Sequence, residues 1–224
     1  MAGARRRGRF ITLEGGEGVG KSTQAKLLAK RLEEAGVKSL VTREPGGSPQ
    51  AEALRRVILS GAAAPFGPSG EAILFSAARI DHIDNTIAPA LAAGQWVICD
   101  RFADSTRAYQ GAAGKLDPGL IDSLERIAVG QTRPDLTLVL DMPVDKGLQR
   151  AAERRADASS PDRFESEGRA FHETLRRAFL DIAAAAPERC VVIDADRPSE
   201  DVAKDIWARV RQRFAKQLRA GARR

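Results

Sequence analysis

Short apolar runs alternate along the chain with long stretches of helical periodicity. Arg9–Glu14, Lys38–Thr42, Gln95–Asp100, Asp135–Asp141 and Arg189–Asp194 read as strands, each a run of five to seven mostly β-branched or apolar residues. Between the first two, a helix is predicted from Lys21 to Ala35. Ala25, Leu28, Ala29 and Leu32 share one of its faces, and Gly36 is its stop. A short helix ends near Ile58, and a long helical pattern covers Glu71–Ala92 with Pro89 as a candidate break. Further helices are predicted over Ser105–Gln110, Pro118–Val129, Asp145 to about Arg155, and near Ser166 to Ala185. The last runs from Glu200 to about Leu218, with Ala203, Ile206, Trp207, Val210, Phe214 and Leu218 on one stripe. Ala62–Gly70 is rich in breakers, and Ala156–Pro161 interrupts the pattern. Strands alternating with helices predict an α/β domain with a parallel sheet covered on both faces. No repeat or linker divides the chain, so 1–224 is read as one domain.

Composition changes that picture little. With 43% apolar and 29% charged residues, the 224-residue chain is neither disordered nor fibrous. No apolar run approaches the ~18–20 residues of a membrane span. The opening residues carry charge but no hydrophobic segment, which argues against a secretory signal. A cytoplasmic protein without a membrane partner is expected. The net charge of +6 is concentrated at the ends, in Arg5, Arg6, Arg7 and Arg9 and in Lys216, Arg219, Arg223 and Arg224. Without those eight, 28 basic residues face 30 acidic ones. Residues 1–8 are therefore read as a disordered basic terminus, and no specific nucleic-acid partner is expected. Cys99 and Cys190 each sit in an apolar strand pattern and read as buried reduced thiols.

The chemistry enters at Gly15-Gly16-Glu17-Gly18-Val19-Gly20-Lys21-Ser22, which fits G-x-x-x-x-G-K-[ST] between a predicted strand and a predicted helix. A polyphosphate needs a ring of backbone N–H groups, and glycines let them approach. The helix that follows adds its N-terminal dipole, with Thr23 in its first turn. Lys21 is placed for the outer phosphates and Ser22 for Mg²⁺. A nucleoside triphosphate site follows. Asp100 and Arg101 leave the third strand beside this loop, suited to the metal and to a second anion. Arg43 follows the second strand. Phe75 and Arg79 are four residues apart on one helix face, an aromatic plate beside a planar cation that suits a nucleobase, although Phe75 also fits plain core packing. The base-reading and switch motifs of a GTPase are missing.

These motifs together resemble the bacterial thymidylate kinase family over nearly the whole chain. The matches are GGEGVGKST, TREPGG (42–47), LFSAAR (74–79), DRF and ADSTRAYQ (100–110), RPDLTLVLD (133–141) and DRFE (162–165). The resemblance implies a P-loop nucleoside monophosphate kinase fold, with a parallel sheet of order 2-3-1-4-5 and a short lid at about 150–165. It implies Mg·ATP-dependent phosphorylation of dTMP to dTDP, and a homodimer. Phe75 would stack on thymine and Arg79 would bond its carbonyl edge. Arg43 and Arg101 would hold the dTMP phosphate, and Tyr109 would crowd the sugar 2′ position, with Ser105, Thr106 and Gln110 in the same wall. Glu17 would contact the sugar 3′-hydroxyl region or the metal, with Asp100 near the metal. Gly18 stands where some members carry an arginine, so the catalytic arginine is expected from the lid. Arg154 aligns best, with Arg150, Arg155 and Arg163 as alternatives. Another P-loop nucleotide or deoxynucleoside kinase, and a non-catalytic P-loop regulator binding nucleic acid, are the rival readings.

Overall fold

The computed structural model describes residues 7–155 and 163–221. Its strands are β1 (Phe10–Glu14), β2 (Ser39–Arg43), β3 (Trp96–Asp100), β4 (Leu136–Asp141) and β5 (Cys190–Asp194). All pair in parallel, in the order β2-β3-β1-β4-β5 expected from the resemblance. β1 is buried at every position, as befits a strand covered on both faces, whereas the edge strands β2 and β5 alternate with exposed residues. The register Leu13↔Asp100 and Arg43↔Asp100 brings the carboxyl ends of β1, β2 and β3 level. In open parallel sheets ligands bind at that edge.

The helices are α1 (Lys21–Glu34), α2 (Pro49–Leu59), α3 (Gly67–His82), α4 (Ala88–Ala92), α5 (Ala103–Thr106), α6 (Pro118–Val129), α7 (Val144–Arg155), α8 (Arg169–Ala185), α9 (Ser199–Arg213) and α10 (Ala215–Gly221). One core layer joins Leu28 and Leu32 of α1 to Ile206 and Val210 of α9 over the strands. On other surfaces of the sheet, Leu175 and Phe179 of α8 meet Val139, while Phe10, Val97 and Phe102 pack against Ile87 and Leu91. Cys99 and Cys190 are both free and buried, in strands separated by β1 and β4.

Several predicted boundaries are corrected. The breaker-rich stretch 62–70 contains a 3-10 turn (Ala64–Phe66) and the start of α3 at Gly67, because Pro68 sits in the first helical turn, where its missing N–H costs nothing. The long pattern 71–92 is not broken at Pro89. The break lies upstream, where Ile83–Ile87 widens into a π turn and α4 then begins. A proline ring would meet the carbonyl four residues back in a regular helix, and the wider turn relieves it. The helix predicted over 105–110 is α5 followed by a second π turn, Arg107–Ala113. α8 starts at Arg169 rather than Ser166, behind Gly168. The terminal stripe splits at Phe214, whose ring leaves the helix to meet Trp96 edge-on at 5.0 Å. Among the described residues no helix is long and apolar enough to cross a membrane. The basic segment 1–6 and the interruption at 156–161 lie outside the described residues.

Candidate active site

A cleft of about 490 Å³ opens over the carboxyl edge of the sheet. It brings together Glu17, Gly18, Gly20, Lys21, Ser22 and Thr23 with Arg43, Phe75, Arg79, Asp100, Arg101, Ser105, Thr106, Tyr109 and Gln110. The remaining loop residues predicted for the phosphates, Gly15, Gly16 and Val19, line a small void behind the loop instead. The α7 backbone reaches residue 155, but the side chain of Arg154, the favoured lid arginine, lies outside the described residues, as does that of Arg155. Of the alternatives, Arg163 pairs with Glu71 at 3.0 Å and lies over the Phe164 ring. Arg150 donates to the Ala195 carbonyl at 3.4 Å.

The phosphate end is built from one contiguous loop. Gly20 precedes α1 and no side chain caps the helix, so its first N–H groups keep no side-chain partner, as an anion site requires. Gly18 has φ of +69°, and a Cβ there would overlap the backbone of Gly147 in α7. The loop and α7 thus touch backbone to backbone, which explains why no arginine stands at position 18. Lys21 is buried, and its Nζ donates to the Gly16 and Gly15 carbonyls at 2.6 and 3.2 Å. Burial, and then the nearby Arg101 charge, bring its pKa down to about 8 despite Glu17, Asp100 and Glu14. Ser22 Oγ hydrogen-bonds Asp100. This hydroxyl and carboxylate at the mouth of the loop form the all-oxygen donor set that Mg²⁺ favours, so the residues fit that ion.

Arg101 joins this end to the rest of the cleft. Its Nη1 donates to the Gly15 carbonyl at 3.0 Å and to Ser105 Oγ at 3.2 Å, while Nη2 donates to Glu17 Oε1 at 2.7 Å. Its guanidinium also stands 5.1 Å from the centre of the Tyr109 ring. The residue has φ of +70°, a left-handed conformation that costs a non-glycine residue roughly 1–2 kcal/mol. Fully buried Glu14 holds the chain there, accepting from the Phe102 N–H at 2.8 Å and from Ser105 Oγ at 2.7 Å. Burial, with Asp104 adding to it, pushes the Glu14 carboxyl up to about 8. Glu17 behaves oppositely. Burial would raise its pKa, but Arg101, Lys21 and the Tyr109 hydroxyl, which donates to it at 2.6 Å, bring it down to about 2.

The far wall is assembled from distant segments. Tyr109 rides on the second π turn, held edge-on by Phe164, Phe171 and Phe179. Phe75 lines the cleft and also packs on that cluster, with its ring 6.1 Å from Phe164, so the two roles weighed for it coexist. Arg79 is buried. Its Nε donates to Glu44 Oε2 at 2.8 Å and its Nη2 to Thr106 Oγ1 at 3.0 Å. Gln110 lines the cleft, and its Nε2 reaches Glu71 Oε2 at 3.5 Å. Arg43 is exposed and donates to Glu52 at 3.1 Å. Sequence reasoning missed Glu14, Glu44, Arg55 and Phe164. Glu14 and Glu44 sit inside or beside the quoted motifs, and an acid at the end of a buried strand was a usable signal. Arg55, which lines the cleft and donates to the Pro45 carbonyl at 2.7 Å, carried none.

The family profile described as thymidylate kinase matches residues 13–206. A thymidylate kinase of Bradyrhizobium diazoefficiens is 56% identical over 208 residues, covering 93% of this chain and 91% of that protein. One from Rhodopseudomonas palustris is 57% identical over 218 residues, covering 97% and 94%. A crystal structure of the thymidylate kinase from Ehrlichia chaffeensis superposes with a TM-score of 0.70 at 30% identity, covering 91% of this chain and 99% of that one.

Proposed function

This chain belongs to the thymidylate kinase family, and on that premise we propose that it transfers the γ-phosphoryl group of ATP to dTMP, yielding ADP and dTDP. The observation that carries this reading is Arg101. One guanidinium is bonded to the P-loop backbone, to Glu17 and to Ser105, and so stands between a triphosphate cradle and a wall suited to a nucleotide base and sugar.

ATP would lie on the loop and the α1 N-terminus, with Lys21 leaving its carbonyl partners for the outer phosphates. Ser22 and Asp100 would hold Mg²⁺, which when bound neutralises charge on the phosphates. The Glu17 bonds to Arg101 and Tyr109 support its assignment to the acceptor side rather than to the metal. dTMP would stack its base on Phe75 and present its carbonyl edge to Arg79, with Tyr109, Ser105, Thr106 and Gln110 bounding the sugar and base. Its phosphate, mostly dianionic at neutral pH because its second pKa is ~6, would meet Arg43 and Arg101. An acceptor already ionised needs no general base. The work left to the chain is alignment and charge neutralisation. Arg154, at the end of α7, is assigned as the lid arginine that reaches ATP on the family resemblance.

We assign the protein to the cytoplasm, and its assembly to a homodimer. The exposed pairs Ile73 and Ile80 of α3 and Leu120 and Ile127 of α6, each two turns apart on adjacent helices, supply an apolar face for a second copy. Ile127→Arg should shift sedimentation from dimer to monomer. The reaction itself is tested by ADP release with Mg·ATP against dTMP, dUMP, dCMP, AMP, GMP and thymidine. Turnover with dTMP, slower with dUMP and lost in Arg101→Ala, is expected. Turnover with thymidine instead would overturn the acceptor assignment.

A further inference from the structure

Behind the base wall a buried chain of side chains runs away from the cleft, beginning at Arg79 and Glu44, which line it. Arg79 Nε bonds Glu44 Oε2 at 2.8 Å. The other Glu44 oxygen meets His82 Nδ1 at 3.1 Å, and His82 Nε2 meets Thr42 Oγ1 at 2.7 Å. His82 is completely buried, and Glu44 and Arg79 nearly so. Gly47 seals the far end. With φ of +89° it lies so close that a Cβ would overlap both the His82 ring and the Thr42 hydroxyl. Its carbonyl is tied down by Thr86 Oγ1 at 2.9 Å.

The bonding pattern fixes the roles. A carboxylate only accepts, so His82 Nδ1 donates to Glu44, and in the neutral imidazole Nε2 is left to accept the Thr42 hydroxyl. Glu44 is thereby held by both oxygens and cannot rotate. Arg79, clamped at Nε by Glu44 and at Nη2 by Thr106, with its guanidinium 5.3 Å from the Phe102 ring centre, is fixed in plane and keeps Nη1 for a further acceptor. A planar donor fork held on two sides selects a carbonyl over an amino group at the edge it faces.

We infer that His82 is a positioning residue for acceptor recognition, acting through Glu44 to aim Arg79, and that the Thr42–His82–Glu44 chain sets discrimination between a pyrimidine with a carbonyl and one with an amino group at that edge. This rests on the reading that Arg79 faces the acceptor base. His82 touches no substrate, so its loss should act on acceptor KM and on base choice, not on ATP or on the phosphoryl step.

The experiment measures kcat and KM for dTMP, dCMP and ATP in four variants. Arg79→Gln first establishes that Arg79 reads the base, and the kcat/KM ratio of dTMP over dCMP should fall at least tenfold. His82→Leu should raise KM for dTMP about 5–10-fold and lower that ratio similarly, with ATP KM and kcat little changed, the scale of one lost buried hydrogen bond. His82→Asn, which restores a donor near the Nδ1 position, should recover most of the ratio. Thr42→Val keeps shape and strand preference while removing only the hydroxyl, and should lower the ratio about threefold, so it carries the test where His82→Leu fails to fold. A ratio that falls in Arg79→Gln but is unchanged in both His82→Leu and Thr42→Val overturns the inference. So does a loss in which kcat and ATP KM move together with an unchanged ratio. A ratio unchanged in Arg79→Gln itself overturns the base reading, and the inference with it.

Discussion

The two ends of the cleft store buried positive charge in opposite ways. At the phosphate end Lys21 is buried against carbonyl oxygens, and among the described residues no carboxylate pairs with it. At the base end Arg79 is equally buried but bonded to Glu44, itself fixed by His82. The proposed ligands account for the difference. A triphosphate brings its own negative charge, so a cation kept short of a counterion gains one on binding. A thymine ring is neutral, so an arginine that reads it must carry a permanent partner or leave an uncompensated charge in the core.

The largest difference between the two cations should appear in stability. Glu44→Gln strands the Arg79 charge, and losing one member of a buried pair costs about 3–5 kcal/mol. Lys21→Met removes a cation whose burial is unfavourable, and should leave stability unchanged or higher while turnover falls about 10²-fold or more. Denaturant melts of the two variants decide it. Equal losses of stability would mean that the loop carbonyls compensate Lys21 as fully as Glu44 compensates Arg79.

Gly18→Ala sharpens the phosphate side. The position needs positive φ and its Cβ would meet the Gly147 backbone, so the strain and the overlap together should cost about 2–4 kcal/mol. Because the loop must then move off α7, ATP affinity should fall as well, while binding of dTMP is preserved. Calorimetry with each nucleotide separates the two. A matching substitution at an open glycine of the same loop, Gly16→Ala, meets nothing within 4 Å and should be mild.

The two ends also differed in how much the sequence disclosed. The phosphate end occupies residues 15–22, so spacing alone marked it, and its neighbours β1 and α1 were visible from periodicity. The base wall draws on residues 42–47, 75–86 and 101–110, and no local pattern links Glu44 to Arg79 or His82. Its first-line residues were reached through family resemblance, and the supports behind them only through the fold. The π turns were hidden for a related reason. A helical pattern read residue by residue does not register one extra residue in a turn, yet that turn sets where Tyr109 and Gln110 point. Strand order, by contrast, followed from the resemblance, and the alternation of elements already required a parallel sheet.

Between the two ends, Glu14 holds Arg101 in its left-handed conformation, and its raised pKa has a consequence for stability. Folded, the carboxyl titrates at about 8, against an ordinary value of 4.5. The unfolded chain therefore loses this proton first, so the contribution to stability is complete below pH ~4.5 and is lost as pH rises toward 8. Glu14→Gln cannot titrate and should flatten that slope of Tm against pH between 5 and 8. A slope identical to the parent would assign the pH dependence elsewhere.

Lys21 gives the smallest effect and the most direct reading of an under-compensated cation. Its folded pKa of about 8 lies below the ordinary 10.5, so the unfolded chain holds more protons between those values. Stability of the free protein should therefore rise with pH across that window. ATP must act in the other direction. Phosphates at Lys21 favour the charged ammonium, so binding at pH 8 should draw in about half a proton, and affinity should weaken as pH climbs from 7.5 to 9. Calorimetry in buffers of different ionisation enthalpy reads the uptake, with Lys21→Met as the blank. dTMP binding should draw in no proton through Lys21, because the base wall is already neutralised by Glu44. Equal uptake for both nucleotides would place the titrating group outside the loop and erase the distinction between the two ends.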